Sequence, residues 1–230
     1  MPKAKMTGRE RIEAAVRHEA PDRVPISPRT GAYLTHKLGR SDLATEMAHF
    51  PDMDHMWIVY DGTPNYIVGY PETYDLPGVR VEQKRYVEGE YQVVERTFET
   101  PAGRLCDRTK IPPSGREYGV SPNPIKTEYL VKEPDDLQRL EYLLPPVNTR
   151  FDFAHRLQEE LGDKGVVMVR VAGALDHLAG DARDMQDIMT DYYDDRAFFD
   201  AQLQIHHHRS LELIRAIHEA GIPWIFGSWY

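Results

Sequence analysis

Three polar side chains come soon after separate runs of apolar residues. They are Arg29, Asp61 and His177. A guanidinium group binds a carboxylate through two parallel hydrogen bonds, a carboxylate accepts several hydrogen bonds and stabilises developing positive charge, and an imidazole acts as acid, base or ligand near neutral pH. Two of the three also have a structural interpretation, Arg29 as a surface side chain and Asp61 as the turn residue before Gly62. The residue types favour substrate binding and proton transfer, with the structural alternatives left open.

The apolar runs predict the elements that would position these side chains. Short strands are predicted at residues 23–26, 56–60, 165–173 and 223–226. Helices are predicted at residues 133–142, 151–161, 182–191 and 195–220, the last with a core-facing set at Phe198, Leu203, Ile205, Leu211, Ile214 and Ile217. Strands that alternate with helices predict an α/β fold with a parallel sheet and right-handed crossovers.

The middle of the chain has a different pattern. Residues 65–126 contain several prolines that exclude a long helix. Within this stretch, residues 91–100 alternate as a strand does, a Pro-Ala-Gly turn follows, and residues 104–106 return. We therefore predict an irregular insertion that contains a β-hairpin.

The first helix carries the most specific signal in the sequence. Thr7 and Glu10 have the spacing of a capping box, and Pro21 is expected to stop the helix that they begin. Residues 18–25 then read His-Glu-Ala-Pro-Asp-Arg-Val-Pro. This segment closely resembles the N-terminal signature of the uroporphyrinogen decarboxylase (URO-D) superfamily, in which a helix ends in His-Glu-x-Pro-Asp-Arg-x-Pro.

The resemblance implies a fold. Members of the superfamily are (β/α)8 barrels of the TIM type with an early β-hairpin insertion. Because such a barrel takes about 250 residues before insertions, residues 1–230 are expected to be the N-terminal portion of a single barrel domain, truncated to its first four or five strands, with residues 65–126 as the insertion. The alternative is an open sheet that a partner completes.

The resemblance also implies site residues. Arg29, with Tyr33 in the same loop, resembles the start of the superfamily's substrate-binding Arg-Gln-Ala-Gly-Arg-Tyr motif, and Asp61 resembles the aspartate that receives pyrrole N–H groups. His177 lies where the superfamily has a Gly-Ala-Pro-x-Thr loop, and Ser228 lies at the place of a rim serine. We expect Asp61, His177 and Ser228 to be catalytic and Arg29 and Tyr33 to bind substrate.

Two departures from the superfamily pattern bear on the reaction. The second arginine of the motif is missing, with the spacing one residue short, and a later tyrosine is replaced near Asp181. A tetra-acidic macrocycle needs several fixed cations, so these losses favour the corrinoid-dependent methyltransferase-like branch over the decarboxylase of porphyrin (heme) biosynthesis. Arg170, inside a predicted strand, is a candidate second cation that would favour the decarboxylase. An inactive or non-catalytic barrel fragment is the third alternative.

The methyltransferase branch implies cofactors that this chain does not supply by itself. In that branch a His-x-Cys and a later Cys hold zinc, which lowers the pKa of a thiol so that the thiolate attacks a methyl group. Cys106 is the only cysteine in the chain, so we expect no cofactor within residues 1–230 and zinc and a corrinoid in the full-length parent. The run 206–208 of three histidines is expected to be a solvated helix face, because successive helical residues point about 100° apart.

The net charge and the lengths of the apolar runs limit the classes of partner that the protein is expected to bind. The chain has a formal net charge of −9 and a pI of about 5.6, which argues against nucleic acid as a partner. No run approaches the ~20 apolar residues that span a bilayer, and no signal peptide is evident, so we expect a cytoplasmic protein that does not bind membranes. The expected partners are a small-molecule or corrinoid-protein substrate and, in an oligomer, a second copy as a homodimer.

Overall fold

The computed structural model describes residues 6–114, 122–178 and 181–228. Its helices are α1 Gly8–Val16, α2 Gly31–Leu38, α3 Leu43–His49, α4 Asp136–Glu141, α5 Asp152–Leu161, α6 Ala174–Leu178, α7 Met185–Asp194 and α8 Arg196–Glu219. Its strands are β1 His55–Val59, β2 Arg80–Glu88, β3 Tyr91–Thr100, β4 Gly103–Ile111, β5 Ile125–Glu128, β6 Gly165–Ala172 and β7 Ile225–Ser228. The predicted mixed α/β class is confirmed.

The strands form two sheets. One is a three-stranded sheet in the order β1-β6-β7, and the other is a four-stranded antiparallel sheet in the order β2-β3-β4-β5. β1 and β6 are parallel, with Val59 opposite Val169. β7 also runs parallel to β6, because Val169 donates to the Trp224 carbonyl and, four residues on in both strands, Gly173 donates to the Ser228 carbonyl. The strands of the described residues do not close into a barrel.

By its internal contacts the chain divides into two compact units. The first consists of Met1–Asp61, Thr149–Arg170 and Arg215–Phe226, and the second of Gly62–Asn148, Val171–Ile214 and Gly227–Tyr230. In the first unit one face of the parallel sheet carries an apolar cluster. Its members are Ile12, Val166 and Met168, with Met56, Trp224 and Phe226 packed against them.

The predicted start of α1 is confirmed, but its end is not where we expected. Thr7 accepts from the Glu10 backbone N–H, and the Glu10 side chain accepts from Thr7, so both halves of the capping box are present. The helix ends at Val16, and His18 has a positive φ of 59°. The helix therefore ends five residues before Pro21, and the chain turns away at His18, a left-handed residue.

The strand predicted at residues 23–26 is wrong. This segment has no regular secondary structure, which leaves three strands in the parallel sheet of the described residues instead of four or five. Pro25 has no N–H to give to a ladder, and Ile26 uses its own N–H and carbonyl on a single residue, Asp54. The backbone groups of Ile26, which a neighbouring strand would otherwise bind, are bound by the side chain and the backbone N–H of Asp54.

Helix α8 buries polar groups that the sequence did not predict to be buried. Gln202 is fully buried and His206 is 1% exposed, although we expected the histidine run to be solvated. His207 and His208 are exposed as predicted. Of the predicted core-facing set, Phe198 and Ile217 are buried, whereas Ile214 is 37% exposed. Helix α7 begins at Met185 because Asp184 caps it, three residues later than predicted.

The core of the second unit contains a buried ion pair. The predicted hairpin is confirmed as β3 and β4, and Arg96 of β3 forms two bonds to Asp107 of β4, both residues being about 1% exposed. The same guanidinium donates to the carbonyls of Tyr66, Ile67 and Gly69, at 2.8, 3.0 and 2.6 Å. Residues of the irregular segment 62–78 are thereby bound to the sheet.

Candidate functional site

The carboxyl end of the parallel sheet in the first unit holds a charged group beside an aromatic ring. Because Val59 lies opposite Val169, the next residues along the two strands, Tyr60 and Arg170, are also neighbours. The Arg170 guanidinium carbon lies 5.4 Å from the centroid of the Tyr60 ring. Asp61 follows immediately and is half-buried. The structure therefore brings Asp61 and the candidate second cation to the same end of two adjacent strands.

Arg29 reaches another strand of the same sheet. It lies in the loop that precedes α2, is exposed, and places its guanidinium carbon 5.9 Å from the centroid of the Phe226 ring in β7. Phe226 packs on the apolar cluster of the first unit. A cation–π contact at an exposed site contributes about 0.5–1 kcal/mol, which is enough to bias the direction of the side chain while its N–H groups stay available to solvent.

Two guanidinium groups over aromatic rings form an arrangement suited to an anionic ligand. A guanidinium group binds a carboxylate through two parallel hydrogen bonds. The Asp61 carboxylate adds an acceptor for ligand N–H or O–H groups. In the first unit these residues can bind and orient an acidic small molecule.

Tyr33 has contacts of a different kind. Its ring lies on α2, 5.8 Å from the His49 ring and 6.1 Å from the Phe50 ring. These residues end α3 and lead to the amino end of β1, whereas Asp61 leaves the carboxyl end. The structure does not show Tyr33 beside Asp61, and its role in substrate binding stays a prediction.

The other two predicted catalytic residues lie in the second unit. Ser228 is the last residue of β7 and is 5% exposed, with its carbonyl 3.4 Å from the N–H of Gly173. His177 lies in the short helix α6 that begins directly after Gly173. Catalytic roles for His177 and Ser228 stay predictions.

The signature segment around Pro21 has a structural function. Arg11 of α1 donates to Asp22 at 2.6 Å and also binds the carboxylate of Asp54, which is 1% exposed. Arg23 binds the same Asp54 carboxylate, at 3.1 Å to Oδ1. The bond to Asp22 raises the pKa of Arg11 above its ordinary value. The Asp-Arg pair of the segment thus fixes α1 to the entrance of β1.

Sequence reasoning missed a buried chain of hydrogen bonds in the first unit. Thr30 donates its hydroxyl to Glu46, and the other oxygen of Glu46 lies 3.0 Å from Nδ1 of His55. All three residues are buried, and Nε2 of His55 has no hydrogen-bond partner among the described residues. The one available signal was the polar His55 at the start of an apolar run.

A second missed cluster lies in the second unit. Arg183 binds both oxygens of Asp191, at 2.6 and 2.8 Å, and Gln202 donates to Asp191 at 2.9 Å. Arg183 also donates to the carbonyls of Val131 and Lys132. Arg183 precedes α7, Asp191 lies within α7 and Gln202 lies in α8, so these contacts join separate elements and leave no periodic signal in the sequence. The cluster joins α7 and the residues before it to α8.

The described residues do not fit the zinc site of the methyltransferase branch. Within residues 6–114, 122–178 and 181–228, no group of three His, Cys, Asp or Glu side chains could hold a metal ion. Cys106 lies near Lys132 and Glu128, and burial raises the pKa of its thiol. A neutral thiol is a poor metal ligand.

Among the helices of the described residues, none is both long enough and apolar enough to cross a bilayer.

Comparison of the chain with models of protein families, with curated proteins and with solved structures found no match in any of the three.

Proposed function

We propose that this chain forms part of a URO-D-type (β/α)8 barrel enzyme of the corrinoid-dependent methyltransferase-like branch, and that the carboxyl end of its parallel sheet binds an acidic small molecule. The observation that carries the binding site is the placement of Asp61 and Arg170 at the carboxyl ends of adjacent parallel strands. The choice of the methyltransferase-like branch comes from the departures of the sequence from the superfamily motif. In a (β/α)8 barrel, ligands bind at this end of the strands.

The order of the strands supports the barrel. β1, β6 and β7 are neighbours in the order in which they occur in the chain, as successive strands of a barrel are. Ile26 lies beside the entrance of β1 through its two bonds to Asp54, at the position that a preceding barrel strand would take. The antiparallel sheet comes between β1 and β6, where the superfamily resemblance implies an insertion.

In this proposal the residues of the first unit bind and orient the substrate. Arg29 holds a carboxylate of the substrate, and Asp61 accepts hydrogen bonds from it and stabilises positive charge that develops during the reaction. We assign no step to zinc, because the described residues do not provide ligands for it.

The decarboxylase of porphyrin biosynthesis is the second candidate. Arg170 favours it, because with Arg29 it gives the first unit two guanidinium groups near the carboxyl end of the sheet. A substrate with several carboxylates needs more than one fixed cation. The preference for methyl transfer then rests on the missing second arginine of the motif and the unmatched tyrosine near Asp181.

One set of assays separates these candidates. The protein expressed from its complete native gene is analysed for zinc by metal analysis, for methyl exchange between methylcobalamin and a thiol, and for release of carbon dioxide from uroporphyrinogen. We expect bound zinc and methyl exchange without decarboxylation. Carbon dioxide release by the zinc-free protein would overturn the preference and establish the decarboxylase. The absence of both methyl exchange and decarboxylation would favour the non-catalytic alternative.

A further inference from the structure

The antiparallel sheet of the second unit has an open edge at β2. Among the strands that the structure describes, β3 is the only one paired with β2. Every residue from Lys84 to Glu88 is exposed, and the side chain of Val87 is 75% exposed. An exposed edge strand presents a row of backbone N–H and C=O groups that can pair with another strand.

We propose that the second strand at this edge is β2 of another copy of the chain, paired antiparallel about a two-fold axis at Gln83. In such a pair the two-fold axis is perpendicular to the sheet, so the side chain of a given residue lies on the same face of the sheet in both copies. Because side chains alternate between the two faces, directly opposed residues must be an even number of positions apart in sequence. The axis therefore passes beside a residue that lies opposite the same residue of the other copy.

The charges of β2 select one register. Three symmetric registers pair seven or more of the residues Arg80–Glu88, with the axis at Gln83, Lys84 or Arg85. An axis at Lys84 or at Arg85 places that cation opposite its own copy, and like charges directly opposed destabilise a pair. The axis at Gln83 instead places Glu82 opposite Lys84 twice, with two amide side chains at the centre.

The same register also covers exposed apolar surface. With the axis at Gln83, Val87 of one copy lies opposite Val79 of the other. Val79 packs on the apolar core of the second unit, at the start of β2. The exposed Val87 would extend that core. Tyr86 would lie opposite Arg80, which places an aromatic ring beside a cation. Pairs of β-branched side chains, and opposite charges, each contribute roughly 0.2–1 kcal/mol across strands.

A charge exchange tests the proposal. Sedimentation equilibrium of the intact chain should show a concentration-dependent monomer–dimer equilibrium. Glu82→Lys and Lys84→Glu should each weaken the dimer about tenfold or more, because each turns two attractive pairs into two repulsive ones. The double variant Glu82→Lys/Lys84→Glu should restore it. Glu141→Lys, a charge reversal at an exposed residue of α4, should leave it unchanged.

Cross-linking tests the position of the axis. In a Cys106→Ser background, Gln83→Cys should form an intermolecular disulfide on mild oxidation, because directly opposed Cα atoms of an antiparallel pair lie about 4.5–5.5 Å apart, within the range that disulfides span. Lys84→Cys, which faces Glu82 in this register, should not. A chain that is monomeric at all concentrations, a dimer that is insensitive to both single reversals, or cross-linking through Lys84→Cys alone would overturn the proposal.

Discussion

Ile26 and Asp54 bind each other at two points. The N–H of Ile26 donates to Oδ2 of Asp54 at 2.8 Å, and the N–H of Asp54 donates to the carbonyl of Ile26 at 3.0 Å. Because the Asp54 carboxylate also binds Arg11 and Arg23, its charge is compensated by two guanidinium groups. One buried side chain therefore holds α1, the signature segment and the start of β1 together.

We expect Asp54→Asn to lower the free energy of unfolding by about 3 kcal/mol. The amide keeps the shape of the side chain but leaves Arg11, which is 2% exposed, without one of its compensating charges. Breaking a buried ion pair by removing one partner costs about 3–5 kcal/mol. Urea unfolding followed by circular dichroism measures the change.

The neighbouring Asp52 supplies the control for this substitution. Its side chain is exposed, and only its backbone carbonyl accepts from Arg23. Asp52→Asn should change stability by less than about 0.5 kcal/mol. Equal unfolding midpoints for the Asp52 and Asp54 variants would show that the network is not important for stability.

Regular periodicity was sufficient to predict the buried strands and the long helices, but not α2, α3, β2 or β5. The strands predicted at residues 56–60 and 165–173 agree with β1 and β6 within one residue, and the hairpin predicted at 91–106 is present as β3–β4, whose second strand continues five residues further, to Ile111. Residues 23–26 were also predicted to form a strand, but the N–H of Ile26 donates to the Asp54 carboxylate, 28 residues away, and the Ile26 carbonyl accepts from the backbone N–H of Asp54. A long-range side chain of this kind leaves no periodic signal in the sequence.

Gly165→Ala should prevent the normal pairing of β1 and β6. A Cβ atom at this position would lie 1.9 Å from the carbonyl oxygen of His55, its partner across the parallel pair. Since backbone atoms would have to move, we expect a loss of about 3 kcal/mol or more, measured by thermal and urea unfolding.

Gly31→Ala is the matched control for the Gly165 substitution. A Cβ atom on Gly31 would meet nothing within 4 Å, and this residue begins α2. Alanine should therefore be neutral or stabilising by up to about 1 kcal/mol. Equal losses for the two variants would contradict a steric origin of the effect.

Lys126 should make stability depend on pH in the alkaline range. Its amino group lies 3.1 Å from Asp107, and burial lowers its pKa below the ordinary value of 10.5. In the interval between the lowered pKa and 10.5, the unfolded chain binds more protons than the folded chain, so stability rises with pH. The difference in free energy of unfolding between the wild type and Lys126→Met should increase as pH rises through this interval.

Buried tyrosines, Tyr70 and Tyr74 among them, act in the opposite direction and require this difference measurement. Burial raises the pKa of Tyr70 and Tyr74 above 10.0, so the folded chain keeps those protons longer and stability falls with rising pH above 10.0. Lys126→Met retains both tyrosines, and their effect cancels in the difference. Lys164→Met, at an exposed lysine, should show no such trend; the same trend in both variants would contradict our assignment to Lys126.

Arg29→Met and Arg170→Met test the substrate site. If each guanidinium binds a carboxylate, each substitution should raise KM about 10- to 100-fold, because a hydrogen bond to a charged group contributes roughly 1.5–3 kcal/mol. Steady-state kinetics of the active protein from its native gene provide the measurement. Arg40→Met, at an exposed arginine outside the site, should leave KM unchanged. An unchanged KM in Arg170→Met would show that Arg170 does not bind the substrate, and the decarboxylase would lose its second cation.

The candidate site was less predictable than the fold. Residues that directly follow a strand, such as Asp61, could be placed from the sequence because the end of a parallel strand fixes their position. The contact between Arg170 and Tyr60 depends on the register of β1 against β6, and that register is set by long-range packing. Buried polar groups such as Gln202 and His55 resembled surface residues, because the sequence does not show which partner satisfies them.

The bonds that Arg96 makes to backbone carbonyls have a consequence for how the second unit unfolds. Residues 62–78 include no helix or strand, and a segment of this kind would ordinarily open by itself on a fast timescale. Here its carbonyls at Tyr66, Ile67 and Gly69 accept hydrogen bonds from the guanidinium group of Arg96, which is buried in the β3–β4 hairpin. Local opening would leave that cation buried with fewer acceptors, at a high cost in free energy. The segment and the hairpin should therefore exchange their amide hydrogens as one cooperative unit.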